Sequence, residues 1–373
     1  MGAFMLKKIT VKNFKCFDTL TFDLTAADYS YNPHIVKDGV VNKALVFGKN
    51  GTGKTSLGFA IFDLIQHLTD KQCFPPWFMK YYTNLNTGRN QVSFQYTFSF
   101  DFKEVVYEYE KTDAQNLVFE ILKSDGNILI DYHYDKPDRQ FVAKELCGNL
   151  DIKLPDNKLS ILKYIYRNTP TDSSSILTRL MQFCEGMLWF RSLSDGNGYC
   201  GLINGGSTLE QMLFESKQLS NFQDFLAKSG LRYDLGFEEN GGGTHELYAY
   251  FNHRKNKARF STIASSGTKA LWLLFNWMTK GKDKLSLLFI DEFDAFYHYE
   301  IAATVVRELN THREFQSFLT THNTYLMQNQ FTRPDCCFIL TGKQIKSLKK
   351  STERELREAH NLEKMYIGGA FME

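Results

Sequence analysis

The chain has 373 residues, a formal net charge of +2 and 43% hydrophobic residues, enough for one large α/β domain. The nearly balanced charge excludes a strong bulk attraction to nucleic acid, so any DNA or RNA contact has to come from local patches. Since no apolar run approaches a membrane span of ~18 residues and the N-terminus lacks a signal-peptide core, we predict a cytoplasmic protein without membrane contact. Its seven cysteines include no C-x-x-C pair and are predicted to be reduced thiols.

A glycine-rich segment of the form G-x-x-x-x-G-K-[ST] spans residues 48–55, between the apolar run 44–47 and a helical pattern. Its glycines allow backbone N–H groups to face phosphate oxygens, and the following helix adds its positive end. Lys54 can then reach the β- and γ-phosphates of a nucleoside triphosphate, while the Thr55 hydroxyl can bind Mg²⁺. The predicted ATP-binding residues are Gly48, Asn50, Gly51, Gly53, Lys54, Thr55 and Ser56.

A second motif lies where the apolar run 285–290 ends in two carboxylates. Such a continuous apolar run is typical of a central parallel strand covered on both faces. We predict that Asp291 helps to hold Mg²⁺, as a Walker B aspartate does, and that Glu292 is the general base for the attacking water. The alternative is a solvated acidic turn after a core strand.

A third pattern, Ser265, Ser266, Gly267 and Thr268, opens an apolar helical stretch about two dozen residues before the two carboxylates. Free N–H groups at a helix start form an anion-binding site, although the same residues also suit an ordinary helix cap. The order of the motifs favours an ATPase that closes nucleotide between two subunits.

A fourth pattern, residues 316–322, is typical of a short strand that ends in polar residues and His322. At the end of a strand near the two carboxylates, this histidine is predicted to hydrogen-bond the γ-phosphate in catalysis. A lone histidine on the surface or in the core is the alternative.

In this order the motifs resemble the ABC-type ATPase heads of the SMC, RecF and OLD group. The matching segments are residues 48–55, 265–268, 289–294 and 320–323, and residues 6–15 look like the first strand of those heads. Residues 332–335 and 361–366 resemble a narrower set, the compact ATPases of bacterial anti-phage and abortive-infection operons (AriA of the PARIS system, RloA/AbiL-like proteins). The resemblance implies an α/β fold with a mixed parallel core sheet and an antiparallel β-subdomain. It also implies a head-to-head dimer in which Ser265 and Gly267 of one subunit face Lys54 and Thr55 of the other.

We predict three parts: an N-terminal lobe (1–132), a compact helical lid (133–230) and a C-terminal lobe (231–373). The N-terminal lobe should contain antiparallel strands at 92–102, 105–109, 117–122 and 128–132, with a hairpin turn at 124–127. Helices are predicted at 159–166, 176–191 and 209–227. The lid is too short for a coiled-coil arm, and its aromatic residues suit either packing or the docking of a partner. A glutamine that senses the γ-phosphate has no clear position, although Gln91 and Gln95 lie near the expected region.

Two basic stretches, 253–259 and 343–350, are either solvated faces or nucleic-acid contacts. The function implied by the resemblance is an ATPase that forms a homodimer or higher homo-oligomer, requires Mg²⁺ and controls an effector protein encoded nearby in anti-phage defence. A RecF- or SMC-like ATPase of DNA repair is the alternative. A transporter subunit is disfavoured because Ser266 replaces the first glycine of the usual Leu-Ser-Gly-Gly-Gln, and a GTPase because no guanine-reading motif occurs.

Overall fold

The computed structural model describes residues 4–71, 76–170, 172–191, 198–202, 207–280, 284–295 and 298–371. In these ranges the strands are β1 (Met5–Phe14), β2 (Phe17–Asp23), β3 (Val36–Lys37), β4 (Val40–Val41), β5 (Lys43–Phe47), β6 (Val92–Phe100), β7 (Lys103–Lys111), β8 (Leu117–Ser124), β9 (Asn127–His133), β10 (Gln140–Val142), β11 (Met187–Arg191), β12 (Gly198–Gly201), β13 (Asp234–Glu239), β14 (His245–Phe251), β15 (Asn256–Arg259), β16 (Leu287–Asp291), β17 (Gln316–Thr321), β18 (Cys337–Leu340) and β19 (Ile345–Ser347). The helices are α1 (Lys54–Leu68), α2 (Pro76–Met79), α3 (Lys144–Cys147), α4 (Ile161–Asn168), α5 (Ile176–Glu185), α6 (Leu209–Ser216), α7 (Leu219–Lys228), α8 (Phe260–Ile263), α9 (Ser266–Lys280), α10 (Tyr299–Thr311) and α11 (Leu362–Ile367). Within the described part of the chain, none of these helices has the length and apolarity to span a bilayer.

The central sheet has the strand order β12-β11-β16-β17-β5-β18-β19. The pairs β11–β16, β16–β17, β17–β5 and β5–β18 are parallel, and the outermost pairs are antiparallel. Strands β5, β16 and β17 are buried along their whole length, as expected for strands covered on both faces. Because parallel strands share one carboxyl edge, the residues that follow β5, β16 and β17 meet at that edge.

A second, antiparallel sheet has the order β10-β9-β8-β7-β6-β1-β2. It contains the four predicted antiparallel strands. The first of them ends at Phe100 rather than at Phe102, because Asp101 and Phe102 adopt positive φ in a two-residue turn. The predicted hairpin turn is confirmed, with Asp125 and Gly126 both at positive φ between β8 and β9.

Helix α1, which follows the phosphate loop, lies between the two sheets. A buried ion pair of 2.6 Å joins Asp63 of α1 to Lys111 of β7. On its other side α1 packs so closely on β16 that a Cβ added to Gly58 would lie 2.7 Å from the ring of Phe289. The start of α1 is therefore held in place by packing on both sides.

The core sheet separates two hydrophobic clusters. Leu287 and Phe289 of β16 belong to the cluster that contains α1 and the antiparallel sheet. Leu288 and Ile290, which alternate with them, belong to the cluster that contains α6, α7, α9 and α10. Helices α1 and α9 therefore cover opposite faces of the core sheet.

Two helix predictions for the middle of the chain are wrong in part. Helix α5 ends at Glu185 rather than at Arg191, and residues 187–191 form strand β11 instead, paired in parallel with β16. The stretch 209–227 is two helices, because Lys217 between them adopts a left-handed φ of 56°. The division of the chain at residues 132 and 230 stays a prediction, and the segment between them contributes strands β11 and β12 to the core sheet.

Candidate functional site

The phosphate loop connects the carboxyl end of β5 to α1, as predicted. Gly51 and Gly53 have φ angles of 77° and 99°, which residues other than glycine rarely adopt. A Cβ added to Gly53 would also lie 2.7 Å from the Cys16 sulfur, and one added to Gly48 would lie 2.8 Å from the Leu340 carbonyl oxygen. Three of the predicted glycines are thus required by backbone conformation or by close packing.

The Lys54 side chain folds back over the loop. Its Nζ donates hydrogen bonds to the carbonyl oxygens of Gly48 (3.1 Å) and Lys49 (3.3 Å) and lies 2.8 Å from Nε2 of His322. Burial lowers the pKa of Lys54, and the nearby carboxylates of Glu292 and Asp291 oppose this effect. The structure therefore brings together the predicted lysine and the predicted strand-end histidine, which are 268 residues apart.

Thr55 and Asp291 are in direct contact. The Thr55 hydroxyl donates a 2.6 Å hydrogen bond to Oδ2 of Asp291, whose side chain is buried. The other oxygen, Oδ1, accepts a 2.6 Å hydrogen bond from the Thr320 hydroxyl at the end of β17. The predicted pair of Mg²⁺ ligands thus lies at one point, and Thr320, which was not predicted as a site residue, fixes the orientation of the carboxylate.

Glu292 lies beside this pair with an unusual backbone conformation, a φ of 45° in a residue other than glycine. Its backbone N–H donates a 2.7 Å hydrogen bond to the Thr320 hydroxyl oxygen. Its carboxylate lies 3.9 Å from Nε2 of His322, and both side chains are partly exposed. The turn after β16 therefore directs Glu292 towards His322 and Lys54 at the open edge of the sheet.

Asp294 is a further acidic residue that was not predicted as a site residue. Its Oδ2 accepts a 2.6 Å hydrogen bond from the Thr321 hydroxyl. Burial raises the pKa of Asp294, although this hydrogen bond acts in the opposite direction. The only sequence signal for it was its place in the segment Phe-Asp-Ala that follows Glu292.

The predicted signature residues lie at the start of α9. Ser265 and Ser266 are exposed, Gly267 is half-buried and Thr268 is buried. The Ser265 hydroxyl oxygen accepts a 3.1 Å hydrogen bond from the backbone N–H of Thr268, which caps the helix. Helices α1 and α9 cover opposite faces of the core sheet. Within one chain, the signature segment therefore lies on the face opposite to the helix that follows the phosphate loop.

Three cations of the first basic stretch pair with carboxylates of its own small sheet, β13–β14–β15. Arg254 pairs with Asp234, Lys257 with Glu238 and Arg259 with Glu246. In the second stretch Lys350 pairs with Asp23 at 2.5 Å. These cations are engaged with carboxylates, which favours the interpretation of solvated faces.

The two glutamines considered for γ-phosphate sensing lie in the antiparallel sheet or beside it. Gln95 is in the middle of β6, where its amide donates to Glu108. Gln91 precedes β6, and its carbonyl oxygen accepts a hydrogen bond from Asn13. Residues 192–197, which follow β11, lie outside the described residues.

Several solved structures have a similar fold. The chain is 14% identical to a structure described as SmcHead bound to the C-winged helix domain of ScpA, over 93% of this chain and 100% of that chain, with a TM-score of 0.54. The SMC head domain of Thermotoga maritima is also 14% identical, over 92% and 99% of the two chains, with a TM-score of 0.45. RecF in a structure with ATP is 12% identical, over 93% and 100%, with a TM-score of 0.39. The fold is that of an ABC-type P-loop ATPase head.

No curated protein matches the chain at a significant level. Residues 43–328, which include the phosphate loop, the signature segment, both carboxylates and His322, match a protein family described as "AAA domain, putative AbiEii toxin, Type IV TA system". This match covers well over half of the 373 residues. The chain therefore belongs to this family of AAA domains.

Proposed function

We propose that the protein binds and hydrolyses ATP in a site shared by two head-to-head subunits, and that the closed dimer controls an effector protein. The observation that carries the proposal is the convergence at one sheet edge of Lys54, Thr55, Asp291, Glu292 and His322. These residues lie at or just beyond the carboxyl ends of β5, β16 and β17, which are distant in sequence, and their chemistry is that of phosphoryl transfer.

The five residues have separate tasks in this proposal. Lys54 and the backbone N–H groups of the phosphate loop bind the β- and γ-phosphates, and the three glycines allow the loop its conformation and close packing. Glu292 accepts a proton from the attacking water, since its carboxylate is partly exposed beside His322. His322, next to the Lys54 ammonium group, donates a hydrogen bond to the γ-phosphate.

The residues present fit a magnesium ion. A hydroxyl and a carboxylate in contact at 2.6 Å, Thr55 and Asp291, provide the hard oxygen ligands that Mg²⁺ prefers. When bound with ATP, Mg²⁺ would neutralise charge on the phosphate oxygens. Thr320 keeps the Asp291 carboxylate directed towards Thr55.

The proposed dimer follows from the position of the signature segment. Ser265 and Ser266 are exposed at the start of α9, on the face of the core sheet opposite to α1. A second copy placed head to head would bring its own Ser265 and Gly267 over the phosphate loop of the first. Such an arrangement has two equivalent sites and is closed by a twofold axis.

In this proposal the ATPase acts by controlling a partner protein, the effector. The family description refers to toxin–antitoxin systems, which consist of two components, and the SmcHead structure has a second protein, ScpA, bound to the head. By analogy, the effector encoded nearby would dock on the segment between residues 133 and 230 or on the C-terminal segment. Anti-phage defence in the cytoplasm is the proposed setting.

The first test is ATP hydrolysis by the purified chain with Mg²⁺. Lys54→Ala should abolish turnover and leave the fold intact, whereas Lys144→Ala, which removes an exposed lysine of α3, should have no effect. Equal turnover by wild type and Lys54→Ala would contradict the assignment of the site.

The second test concerns the partner. Purification of the tagged chain from its native operon should yield a complex with one neighbouring gene product in a fixed ratio, and Lys54→Ala should alter that ratio or the effector's activity. The isolated chain should not cleave DNA or RNA. ATP-dependent retention of DNA by the isolated chain would instead favour the RecF- or SMC-like alternative.

A further inference from the structure

A cavity of about 590 Å³ lies at the amino edge of the core sheet, at the opposite end of the strands from the phosphate loop. Its wall includes Asn42, Gly186, Ser286 and Phe315, which lie directly before or close to the first residues of β5, β11, β16 and β17. Strand β5 separates it from the phosphate loop by roughly 16 Å, at ~3.3 Å per residue. The cavity is therefore distinct from the nucleotide site.

The cavity wall is strongly cationic. Five cationic side chains line it, against two carboxylates: Lys37, Lys71, Arg179, Lys284 and Arg313, with Glu185 and Glu314. The Glu314 carboxylate is engaged with Nδ1 of His312 at 2.7 Å. In a chain whose net charge is only +2, this concentration of positive charge is local and favours an anion.

A buried donor without a partner also lies in this wall. Asn42 is 2% exposed, and its side-chain Nδ2 has no hydrogen-bond partner. A buried amide left without a hydrogen bond is costly, so most such groups in folded proteins are satisfied. The neighbouring Gln316 shows the contrast, because its amide donates to the carbonyl oxygens of Leu6 and Val41 and accepts from the N–H of Leu6.

The wall is closely packed at Gly186 and has an apolar side. A Cβ added to Gly186 would lie 2.4 Å from the carbonyl oxygen of Lys284. Two phenylalanines, Phe4 and Phe183, contact each other with ring centroids 5.8 Å apart and form an apolar side of the same wall. Cationic groups beside an apolar side suit a small molecule that is anionic at one end.

We propose that this cavity binds a small molecule that carries two or more phosphate groups. The arginine guanidinium groups can bind phosphate oxygens in pairs, lysines provide further charge, and the amide of Asn42 provides a neutral donor. The volume is sufficient for a ligand of about nucleotide size. The inference does not depend on the proposed ATPase activity.

The test uses inorganic pyrophosphate as the probe, measured by isothermal titration calorimetry on the full chain with Lys54→Ala, in which the phosphate loop is disabled. Binding should remain in this background. Adding Lys284→Glu and Arg313→Glu, both exposed positions, should weaken it at least ~10-fold, because each reversal removes a charged donor. A matched control, Lys136→Glu with Arg139→Glu, makes the same charge change at exposed positions away from the cavity and should leave the affinity unchanged.

A second variant separates binding from folding. Asn42→Leu removes the unpaired amide without a change in charge, so it should weaken pyrophosphate binding several-fold while the chain is at least as resistant to thermal unfolding as before. Failure of pyrophosphate to bind, or equal weakening by the control pair, would overturn the proposal. Tight binding of a short DNA duplex through Lys284 and Arg313, without pyrophosphate binding, would also overturn it and assign the surface to nucleic acid.

Discussion

The hydroxyl of Thr55 and the carboxylate of Asp291 are joined by a 2.6 Å hydrogen bond across 236 residues of sequence. Thr55 is in the first turn of α1, and Asp291 is the last residue of β16. Two independent constraints produce this contact, the packing of α1 between the two sheets and the parallel pairing of β16 with β17 beside β5. A substitution at one of these residues therefore tests the task that we propose for that residue.

Asp291→Asn keeps the shape of the side chain but removes its charge. We expect turnover with Mg²⁺ to fall by about 10²-fold or more, because a neutral amide is a poor ligand for a hard cation. Nucleotide binding measured with excess EDTA should change little. Asp135→Asn, at an exposed position, is the matched control, and normal Mg²⁺ dependence in Asp291→Asn would contradict the metal assignment.

Glu292→Gln removes the proposed base and leaves the binding groups in place. With Mg²⁺ and ATP this variant should bind nucleotide, hydrolyse it very slowly and accumulate as a dimer in size-exclusion chromatography with light scattering. The same variant without nucleotide gives the reference distribution. Wild-type turnover together with an unchanged distribution would show that Glu292 is not the base.

Thr320→Val removes the hydroxyl that donates to Asp291 and accepts from the N–H of Glu292. We expect the turnover number to fall by about 10-fold and the affinity for ATP to change less, because the hydroxyl positions both residues without reaching ATP itself. Thr21→Val, on an exposed part of β2, controls for the substitution. A rise in KM alone would contradict a positioning role.

Lys43 makes the stability of the fold depend on pH. Burial lowers its pKa to about 7, although the nearby Glu314 carboxylate opposes this. Above pH 7 the unfolded chain binds a proton at this lysine that the folded chain does not, so stability rises with pH towards the unfolded pKa. Lys43→Met should therefore be more stable than wild type near pH 7, by a margin that shrinks by ~3 kcal/mol between pH 7 and 9.5.

Chemical denaturation of both proteins at several pH values measures this margin. The exposed Lys12→Met serves as the control, and its margin should be small and independent of pH. A constant difference between wild type and Lys43→Met across the range would mean that the Lys43 pKa is not depressed by burial.

The sequence predicted those parts of the molecule whose signals are local. The phosphate loop needs its residue types at fixed spacing, and β16 has a continuous apolar run, so both were found. Strand β17 was found from the short apolar pair Phe318 and Leu319 followed by polar residues. Strand β11 was assigned to a helix because Met187, Leu188, Trp189 and Phe190 continue the apolar pattern of α5. Residues 187–191 form a strand rather than a helix because they pair with β16. That partner is 100 residues away in the sequence, so the local pattern does not reveal it.

The remaining parts of the site depend on register and packing. Thr320 reaches Asp291 because β17 pairs with β16 so that Leu319 lies opposite Ile290, a relation that a single sequence does not contain. The cationic cavity likewise combines residues from Phe4 to Gln316, and each of its five lysines and arginines looks ordinary when considered alone in the sequence.

The central claim is that one ATP site is built from two subunits, and a mixing experiment tests it most directly. Lys54→Ala lacks a working phosphate loop and Ser265→Arg a working signature, so each variant alone should be inactive. In a mixed dimer one of the two sites has both halves intact. Random mixing in equal amounts should therefore restore about a quarter of the wild-type ATPase rate. Complete inactivity, with heterodimers demonstrated by differently tagged subunits, would contradict the shared site.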